Sequence, residues 1–386
     1  MKQETQIAQI ERILELLHSR TTELNDEIYL NPVSTYTSTD QFEREKEVFF
    51  RHSPLIFCHS SQIPNPGDFF TDELTGVPVL IVRGKDGVAR AMINVCRHRG
   101  ARLVQGSGHC ERAFMCPYHA WTYNYEGHLR MAAPKSAFPD IAAEDRNLLP
   151  LPCAERHGFI WVRPSPGGPI DESGLLGSMD DEIMSYGFDS YVHHDTRRVT
   201  KAMNWKLVID TFMETWHIGT LHRETVASIF PGISVFDSFE TNGRVILPRR
   251  SLADLRNLPR DQWELLSRTA IIYTVLPNSL LVWQGDHLEI WRSFPGAHAG
   301  ECIAEASLYI PKPVESPREK RYWDKNMDLL MATVEGEDFP VCEDIQRSCS
   351  SGAQTHLTLG RNEPALIHFH KKVQTLLKAA AVSEQG

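Results

Sequence analysis

The sequence predicts an α+β protein of two or three domains, on the basis of three observations. The chain has 386 residues, and at roughly 150 residues per domain this length corresponds to two or three domains. Residues 49–162 contain short runs of strand-forming residues separated by glycine and proline. In the second half, helical periodicity at residues 205–217 and 318–348 brackets four strand-like runs between residues 270 and 310.

The bulk composition is that of a globular protein. Hydrophobic residues make up 41% of the chain, and the formal net charge of −10 argues against nucleic acid or an anionic membrane as a partner. No run approaches the ~20 apolar residues of a membrane span. The polar start of the chain does not resemble a signal peptide, so we expect a cytoplasmic protein. Disulfides are rare there, and the eight cysteines are expected to be free thiols or metal ligands.

An amphipathic helix is predicted near the N-terminus because apolar residues recur there at three- and four-residue spacing: Ile7, Ile10, Leu14 and Leu17. Its apolar stripe must pack on this subunit or on a neighbouring one. The strand-like runs of the next region lie at residues 77–82, 91–95, 113–115 and 159–162. Proline and glycine then indicate a domain edge at residues 163–168.

The second half begins with a predicted helix at residues 205–217, for which Asn204 is a suitable N-cap. The last predicted helical region, residues 318–348, is interrupted near Gly336 and Pro340. Between these helices we expect antiparallel strands joined by turns, at residues 270–276, 279–283, 288–294 and 303–310.

Two Cys–His pairs form the most specific motif of the chain. Cys96 and His98 are followed, after seventeen intervening residues, by Cys116 and His119. Two facing loops of this kind can hold a [2Fe–2S] cluster with both Cys on one iron and both His on the other, which is the Rieske arrangement. Glycines between the pairs permit the tight turns that such loops need: Gly100, Gly106 and Gly108.

A structural zinc site is the alternative for these four residues. Zinc sites usually pair Cys with Cys and His with His along the chain, whereas the order here is interleaved. The interleaved order therefore disfavours zinc. Between the pairs, we expect Cys110 to be a small buried hydrophobe and His109 to lie on the surface.

A second group of potential ligands lies about a hundred residues later, where His217 and His222 are spaced H-x4-H. On a regular helix these residues point about 140° apart. They can bind one metal only if the helix ends or distorts between them, which Gly219 permits. Asp210, Glu214 and His217 are spaced to share one helix face. Two His and one carboxylate form the ligand set of oxygen-activating mononuclear Fe(II).

The string CRHRG…CPYHAW and the later H-x4-H together resemble the Rieske ring-hydroxylating oxygenases, over about residues 45–350. The resemblance implies a small all-β Rieske domain followed by a catalytic domain in which an antiparallel sheet grips a helix. On this basis residues 1–44 form an N-terminal helical arm, residues 45–165 the Rieske [2Fe–2S] domain, and residues 166–386 the catalytic domain with mononuclear Fe(II). The implied cluster ligands are Cys96, His98, Cys116 and His119.

The resemblance also assigns the second metal site. In the family, an Asp on a later helix completes the iron site with the two His residues, here His217 and His222, and Asp338 takes its position. At least two of its competitors are expected to belong to a solvated acidic face: Glu337, Glu343 and Asp344.

Glu214 receives a catalytic role from the same resemblance. A carboxylate at this position connects the Rieske His of one subunit to the iron-binding His of the next. Many ring-hydroxylating members carry Asp here, and some quaternary-ammonium oxygenases resemble this chain in carrying Glu.

The implied function is that of a terminal oxygenase component. It uses O2 and electrons from a separate NAD(P)H-dependent reductase, with or without a ferredoxin, to hydroxylate a small organic substrate. We expect an aromatic substrate; an oxidative demethylase or a quaternary-ammonium monooxygenase is the alternative within the family. A Rieske electron carrier and a zinc-stabilised binding module are the alternatives from other classes.

The family's head-to-tail packing implies a homotrimer, and the N-terminal stripe is a candidate contact in it. Six aromatic residues of the second half are candidates for lining a substrate cavity, although ordinary core is expected for most of them: Phe212, Trp216, Phe230, Tyr273, Trp283 and Trp291.

Overall fold

The computed structural model describes residues 1–139 and 142–383. The chain divides into two compact units, one made of Met1–Glu45, Leu176–Gly187 and Val192–Gly386, the other of Lys46–Leu175 and Phe188–Tyr191. The first 45 residues therefore belong to the same unit as the second half of the chain. The α+β class is confirmed, because both units are built on sheets and the long helices lie in the larger one.

Among its described residues, the smaller unit contains three antiparallel sheets. The largest has five strands, in the order Pro150–Leu151, Ala89–Ile93, Val79–Arg83, Asp68–Asp72 and Ser107–His109. The second is formed by Cys153–Arg156, Phe159–Val162 and Leu55–His59, and the third by Phe114–Met115, Thr122–Tyr123 and Leu129–Met131. The helical turns of this unit are Lys46–Arg51, Ser60–Gln62, Lys135–Ala137, Ala143–Arg146, Glu172–Gly174 and Phe188–Ser190. All four predicted strands of this region are present within two residues of their expected bounds.

A buried core anchors the loops that carry the Cys–His pairs. Aromatic and aliphatic side chains fill it, among them Leu80, Phe114 and Trp121, and Cys96 and Cys116 are part of the same cluster. Since side chains in a close-packed interior have little freedom to move, the packing holds both cysteine side chains in place.

The larger unit is built on a seven-stranded antiparallel sheet. Its strands lie in the order Val192–Lys201, Cys302–Ile310, Leu288–Pro295, Ser279–Trp283, Thr269–Val275, Asn242–Pro248 and Val235–Phe239. Tyr29–Pro32 pairs with His356–Leu359 in a separate two-stranded sheet. The α-helices are Gln3–Ser19, Ser34–Thr37, Thr39–Glu45, Asp180–Met184, Trp205–Asp210, Ile218–Leu221, Pro317–Thr333, Phe339–Cys349 and Pro364–Ser383, with a π-helical segment at Val334–Asp338. Short 3-10 helices lie at Gly177–Met179, Arg250–Asn257, Arg260–Gln262 and Leu266–Arg268.

The sheet register places one band of side chains on the face that borders the site described below. Leu247 lies opposite Ala270, Ile272 opposite Val282, and Val282 opposite Glu289. Residues directly opposite each other in neighbouring strands point to the same face. The band is therefore aliphatic along most of its length and ends in a carboxylate.

Four of the seven strands agree with the prediction, and three were not predicted: Val192–Lys201, Val235–Phe239 and Asn242–Pro248. The strand Val192–Lys201 has the sequence VHHDTRRVTK and lies at the edge of the sheet, where most of its side chains are only partly buried. Apolar alternation is weak in a strand of this kind, so residue periodicity could not find it.

The N-terminal helix is present as Gln3–Ser19, but its buried face differs from the predicted stripe. Ile10 and Leu14 are buried as expected, whereas Ile7 and Leu17 are only partly buried. Arg12 Nη1 donates to Asp237 Oδ1 at 2.9 Å, so the helix packs against a strand of its own unit. The buried residues of the stripe therefore pack within their own unit, and a contact of this helix with another subunit stays a prediction. None of the helices in the described part of the chain is long and apolar enough to cross a membrane.

Candidate active site

The two Cys–His pairs lie on loops of matching geometry. In each loop the Cys carbonyl accepts a hydrogen bond at 3.0 Å from the amide four residues later, Gly100 after Cys96 and Ala120 after Cys116. Gly100 and Ala120 have φ angles of +82° and +57°, so both loops close with a left-handed residue. Glycine serves this purpose in the first loop, as predicted, and alanine in the second.

The imidazoles of the two pairs face each other. The ring centroids of His98 and His119 are 4.7 Å apart, and His98 stacks on Trp121 with ring centroids 5.0 Å apart. The Nδ1 atoms of both histidines are buried without a hydrogen-bond partner among the described residues.

A buried, unpartnered ring nitrogen is costly unless it binds something. The donor set of two buried thiols and two such nitrogens therefore fits a Rieske cluster. His109 is exposed, with its ring 2.8 Å from Asp68, and Cys110 is half-buried against the core, so neither joins this group.

The second group brings together His217, His222 and Asp338. Their ligand atoms all lie within 4.8 Å of one another, with Asp338 Oδ1 at 3.5 Å from His217 Nε2 and 3.2 Å from His222 Nε2. His217 is the N-cap and His222 the C-cap of the one-turn helix Ile218–Leu221. Two imidazoles and one carboxylate at this spacing fit the ligand set of mononuclear Fe(II).

A carboxylate holds the outer nitrogen of each histidine. His217 Nδ1 forms a short hydrogen bond to Glu214 Oε1, and His222 Nδ1 lies 2.7 Å from Glu337 Oε2. These bonds place the ring proton on Nδ1, which leaves each Nε2 lone pair facing Asp338.

Both outer carboxylates are held in their ionised form. Burial raises the pKa of Glu214, but the hydrogen bond and charge of His217, together with the backbone amides of Trp216 and His217, outweigh burial, and the net pKa lies below the ordinary value. The pKa of Glu337 is lowered in the same way, with burial opposed by hydrogen bonds from His222 and Thr225. Each histidine of the pair therefore meets a negative charge on the side away from Asp338.

Several expectations about this segment are corrected. Asn204 caps the helix as predicted, accepting a hydrogen bond from Lys206 N at 3.1 Å, but the helix ends at Asp210 rather than at residue 217. Asp210 therefore does not share a regular helix face with Glu214 and His217; instead, Tyr36 donates to it at 2.7 Å. The two histidines can converge because the helix stops after Asp210 and does not continue through them. Gly219 lies within the next helix and its φ is not left-handed, so the expected distortion at this glycine is not observed.

The acidic residues around Asp338 have different partners. Asp344 is exposed and pairs with Arg347, while Glu343 accepts a hydrogen bond from Ala202 N at 2.8 Å. Glu337 was expected among the solvated or competing acids, but it contacts His222. Of the four candidates, only Asp338 lies at the two Nε2 atoms.

A cavity of about 490 Å³ opens from this group. Phe212, Ile218 and Phe230 form part of its wall, and the opposite strands contribute the aliphatic band that ends in Glu289. Of the six aromatic candidates, Phe212 and Phe230 line the cavity, while Tyr273, Trp283 and Trp291 are buried in the core. Trp216 is 71% exposed.

Two protein-family models match the chain. The model described as "Rieske [2Fe-2S] domain" matches residues 53–142, and the model described as "Ring hydroxylating alpha subunit (catalytic domain)" matches residues 188–379.

Three curated relatives illustrate the range of similar proteins. The carnitine monooxygenase oxygenase subunit of Acinetobacter baumannii is 35% identical over 192 residues, which cover 50% of this chain and 52% of that protein. This chain thus matches about half the length of that relative. Chloroplastic choline monooxygenase of Beta vulgaris is 26% identical over 93% of this chain and 79% of that protein. The anthranilate 1,2-dioxygenase large subunit of Acinetobacter baylyi is 30% identical over 53% of this chain and 45% of that protein.

Solved structures share the fold. The quaternary ammonium Rieske monooxygenase CntA has a TM-score of 0.78 at 23% identity, over 90% of this chain and 95% of that one. Naphthalene 1,2-dioxygenase from Rhodococcus sp. has a TM-score of 0.74 at 18% identity, over 96% of this chain and 98% of that one. At these identities the likeness establishes the architecture alone.

Proposed function

We propose that this chain, which belongs to the Rieske non-haem iron oxygenases, is the terminal oxygenase component of a monooxygenase system for a small quaternary-ammonium compound. Its membership rests on the two matched domains, residues 53–142 and 188–379. In this family those domains hold a Rieske [2Fe–2S] cluster and a mononuclear iron. The activity, its substrate and its partners are what we propose.

The observation that carries the proposed substrate class is the set of relatives. A relative named for carnitine has the highest identity of the three described, and a relative named for choline matches 93% of the chain. The expectation of an aromatic substrate has weaker support, because the anthranilate dioxygenase relative is 30% identical where the carnitine relative is 35% identical over a similar share of the chain. Glu214, where many ring-hydroxylating members carry Asp, supports the same choice.

The site residues remain proposals with a defined role for each. We propose Cys96, His98, Cys116 and His119 as cluster ligands, and His217, His222 and Asp338 as iron ligands. When bound, the cluster supplies single electrons and the iron activates O2. The chain's own part is to hold both imidazoles in one tautomer through Glu214 and Glu337.

We also propose that electrons reach the iron site from the cluster of a neighbouring subunit in a homotrimer. Trp216 is highly exposed two residues from Glu214, and Met115 and Tyr118, beside the proposed cluster ligands, are 60% and 57% exposed. Large apolar side chains exposed beside metal ligands are suited to contact another protein. A separate reductase, with or without a ferredoxin, then reduces the cluster.

A substrate panel tests the proposed function. The iron-loaded protein is combined with a surrogate reductase and NADH, and product is measured by mass spectrometry for carnitine, choline and anthranilate. Oxidation of an ammonium compound is expected. Oxidation of anthranilate alone would instead support the aromatic alternative, and a reducible cluster without any product would support an electron carrier.

A further inference from the structure

The cavity beside the metal ligands contains three buried polar atoms with no hydrogen-bond partner in the described part of the chain. They are Arg249 Nε, Glu289 Oε2 and Thr333 Oγ1. A buried donor or acceptor without a partner costs stability, so a protein rarely keeps three of them around one cavity unless a ligand satisfies them. None of the three residues is a proposed metal ligand.

Glu289 is the anionic member of this group. It lies on the strand Leu288–Pro295, opposite Val282, and is 4% exposed. Its Oε1 lies 3.4 Å from His287 Nε2, while the other ring nitrogen of His287 lies 2.7 Å from Asp286 Oδ1. Oε1 is therefore engaged by the protein, and Oε2 is left to the cavity.

Asp286, His287 and Glu289 carry a net charge that depends on the protonation state of His287. Burial lowers its pKa, but the hydrogen bonds to Asp286 and Glu289 outweigh burial and raise the pKa to about 9. His287 is therefore cationic at neutral pH. Two carboxylates and one imidazolium leave a net charge of −1 on this wall.

Arg249 is the cationic member. It follows the strand Asn242–Pro248, and its Nη2 donates to Gln284 O at 2.9 Å. Its guanidinium carbon lies 5.6 Å from the centre of the Phe230 ring, and its Nε is buried without a partner among the described residues. Arg249 balances the net charge of Asp286, His287 and Glu289, so the cavity outside the metal site is neutral overall and carries charges of both signs.

We propose that this cavity selects a zwitterion whose carboxylate is bound by Arg249 and whose quaternary ammonium group is bound by Glu289. The inference rests on the proposed function and deepens it. A quaternary ammonium group has no N–H to donate, so it is bound through its positive charge, which a carboxylate or an aromatic face can attract without an aligned hydrogen. A carboxylate requires donors, which the arginine supplies in a planar array.

Selectivity follows from the charges. A cation without a carboxylate, such as choline, leaves Arg249 Nε unpaired, and an anion without an ammonium group leaves Glu289 Oε2 unpaired. A buried polar group left without its partner is a strong source of discrimination. Carnitine, which carries both groups, satisfies both residues.

Calorimetric titration under anaerobic conditions tests this assignment with carnitine, choline and anthranilate as the three ligands. The protein is used with cluster and iron loaded, as wild type, Arg249→Gln and Glu289→Gln. We expect the wild type to bind carnitine about tenfold or more tightly than choline. Arg249→Gln should weaken the binding of carnitine about tenfold without weakening the binding of choline, and Glu289→Gln should weaken the binding of both. The controls are Asp344→Asn and Arg347→Gln, which alter an exposed ion pair outside the cavity.

The cluster spectrum and iron content of each variant report whether it has folded. If Glu289→Gln does not fold, Glu289→Asp is used instead, because it keeps the charge and shortens the side chain. It should weaken carnitine binding less than Arg249→Gln does. Equal weakening of carnitine and choline by Arg249→Gln, or unchanged binding in Glu289→Gln, would overturn the zwitterion assignment while the proposed function stands. A wild type that binds anthranilate and neither ammonium compound would instead refute the proposed function.

Discussion

At the scale of single residues, the site depends on carboxylates that do not touch the iron position. Glu214 and Glu337 each hold the Nδ1 atom of one histidine. The sequence alone predicted the Cys–His pairs and H-x4-H, because these proposed ligands lie close together along the chain. It did not predict the contact of Glu337 with His222, because those residues are 115 positions apart and only the tertiary packing brings them together.

Replacing Glu337 by Gln should weaken the mononuclear iron site and spare the cluster. Gln keeps an oxygen acceptor for His222 but loses the charge that fixes the imidazole, and changes of this kind cost about 10–100-fold in metal affinity. Iron retained during dialysis against graded chelator is the measurement, with the visible cluster spectrum as internal reference. Asp344→Asn, which removes a nearby exposed charge, should behave as wild type. Equal iron retention in Glu337→Gln and wild type would show that the contact does not support the site.

The buried His287, which lies between the exposed carboxylate of Asp286 and the buried carboxylate of Glu289, predicts a pH-dependent contribution to stability. The folded pKa of about 9 exceeds the ordinary 6.5, so the protonated form is favoured by folding. This contribution is fully present below about pH 6.5 and is lost as pH rises through about 9. At 1.36 kcal/mol per pKa unit it amounts to roughly 3 kcal/mol.

His287→Gln removes this contribution. The difference in melting temperature between wild type and variant, measured by scanning calorimetry, should be largest near pH 6 and should narrow towards pH 9.5. His128→Gln, which changes an exposed histidine, provides the control and should give a difference that does not vary with pH. A His287→Gln difference that is constant across this range would contradict the assigned charge state.

At the scale of elements, the site is assembled where regular helices stop. The helix Trp205–Asp210 ends before the histidines, and a π-helical segment, Val334–Asp338, separates two α-helices and ends at the third candidate ligand. The sequence predicted an interruption near Gly336 and Pro340 because both residues weaken helices. It could not predict a π-helix there, since one extra residue within a turn leaves no compositional signal.

Deleting Gly336 should remove the mononuclear iron site while keeping the helices. A π-helical turn contains one residue more than an α-helical turn, so the deletion would restore a regular helix and rotate Asp338 by about 100° relative to Pro317–Thr333. Iron analysis should show loss of the mononuclear iron, with the cluster spectrum and circular dichroism retained.

Gly336→Ala is the matched control for this deletion. The φ of Gly336 is not left-handed, and an added Cβ meets no atom within 4 Å, so iron content should be unchanged. Normal iron content in the deletion variant would show that the π-helical segment does not position Asp338.

At the scale of the whole molecule, the proposed electron path joins two copies of the chain. Two variants test this path when co-expressed with different tags: Cys116→Ser, which should lack the cluster, and Asp338→Asn, which should lack the mononuclear iron. Each alone should be inactive. In a head-to-tail trimer that contains both variants, one of the three cluster-to-iron contacts has both centres intact, so about one third of wild-type activity should return.

The same mixed oligomer shows on which subunit Glu214 acts. Because Glu214 holds His217 of its own chain, its role in electron transfer to the iron belongs to the subunit that keeps the iron site. Glu214→Gln added to the Cys116→Ser subunit should therefore abolish the recovered activity, while the same change in the Asp338→Asn subunit should have no effect. Product formation and the rate of cluster reoxidation in a single turnover are measured on double-tag-purified oligomers, with metal content as the control for assembly. Equal loss from both placements would assign Glu214 to general stability, and no recovered activity in the parent mixture would place electron transfer within one chain.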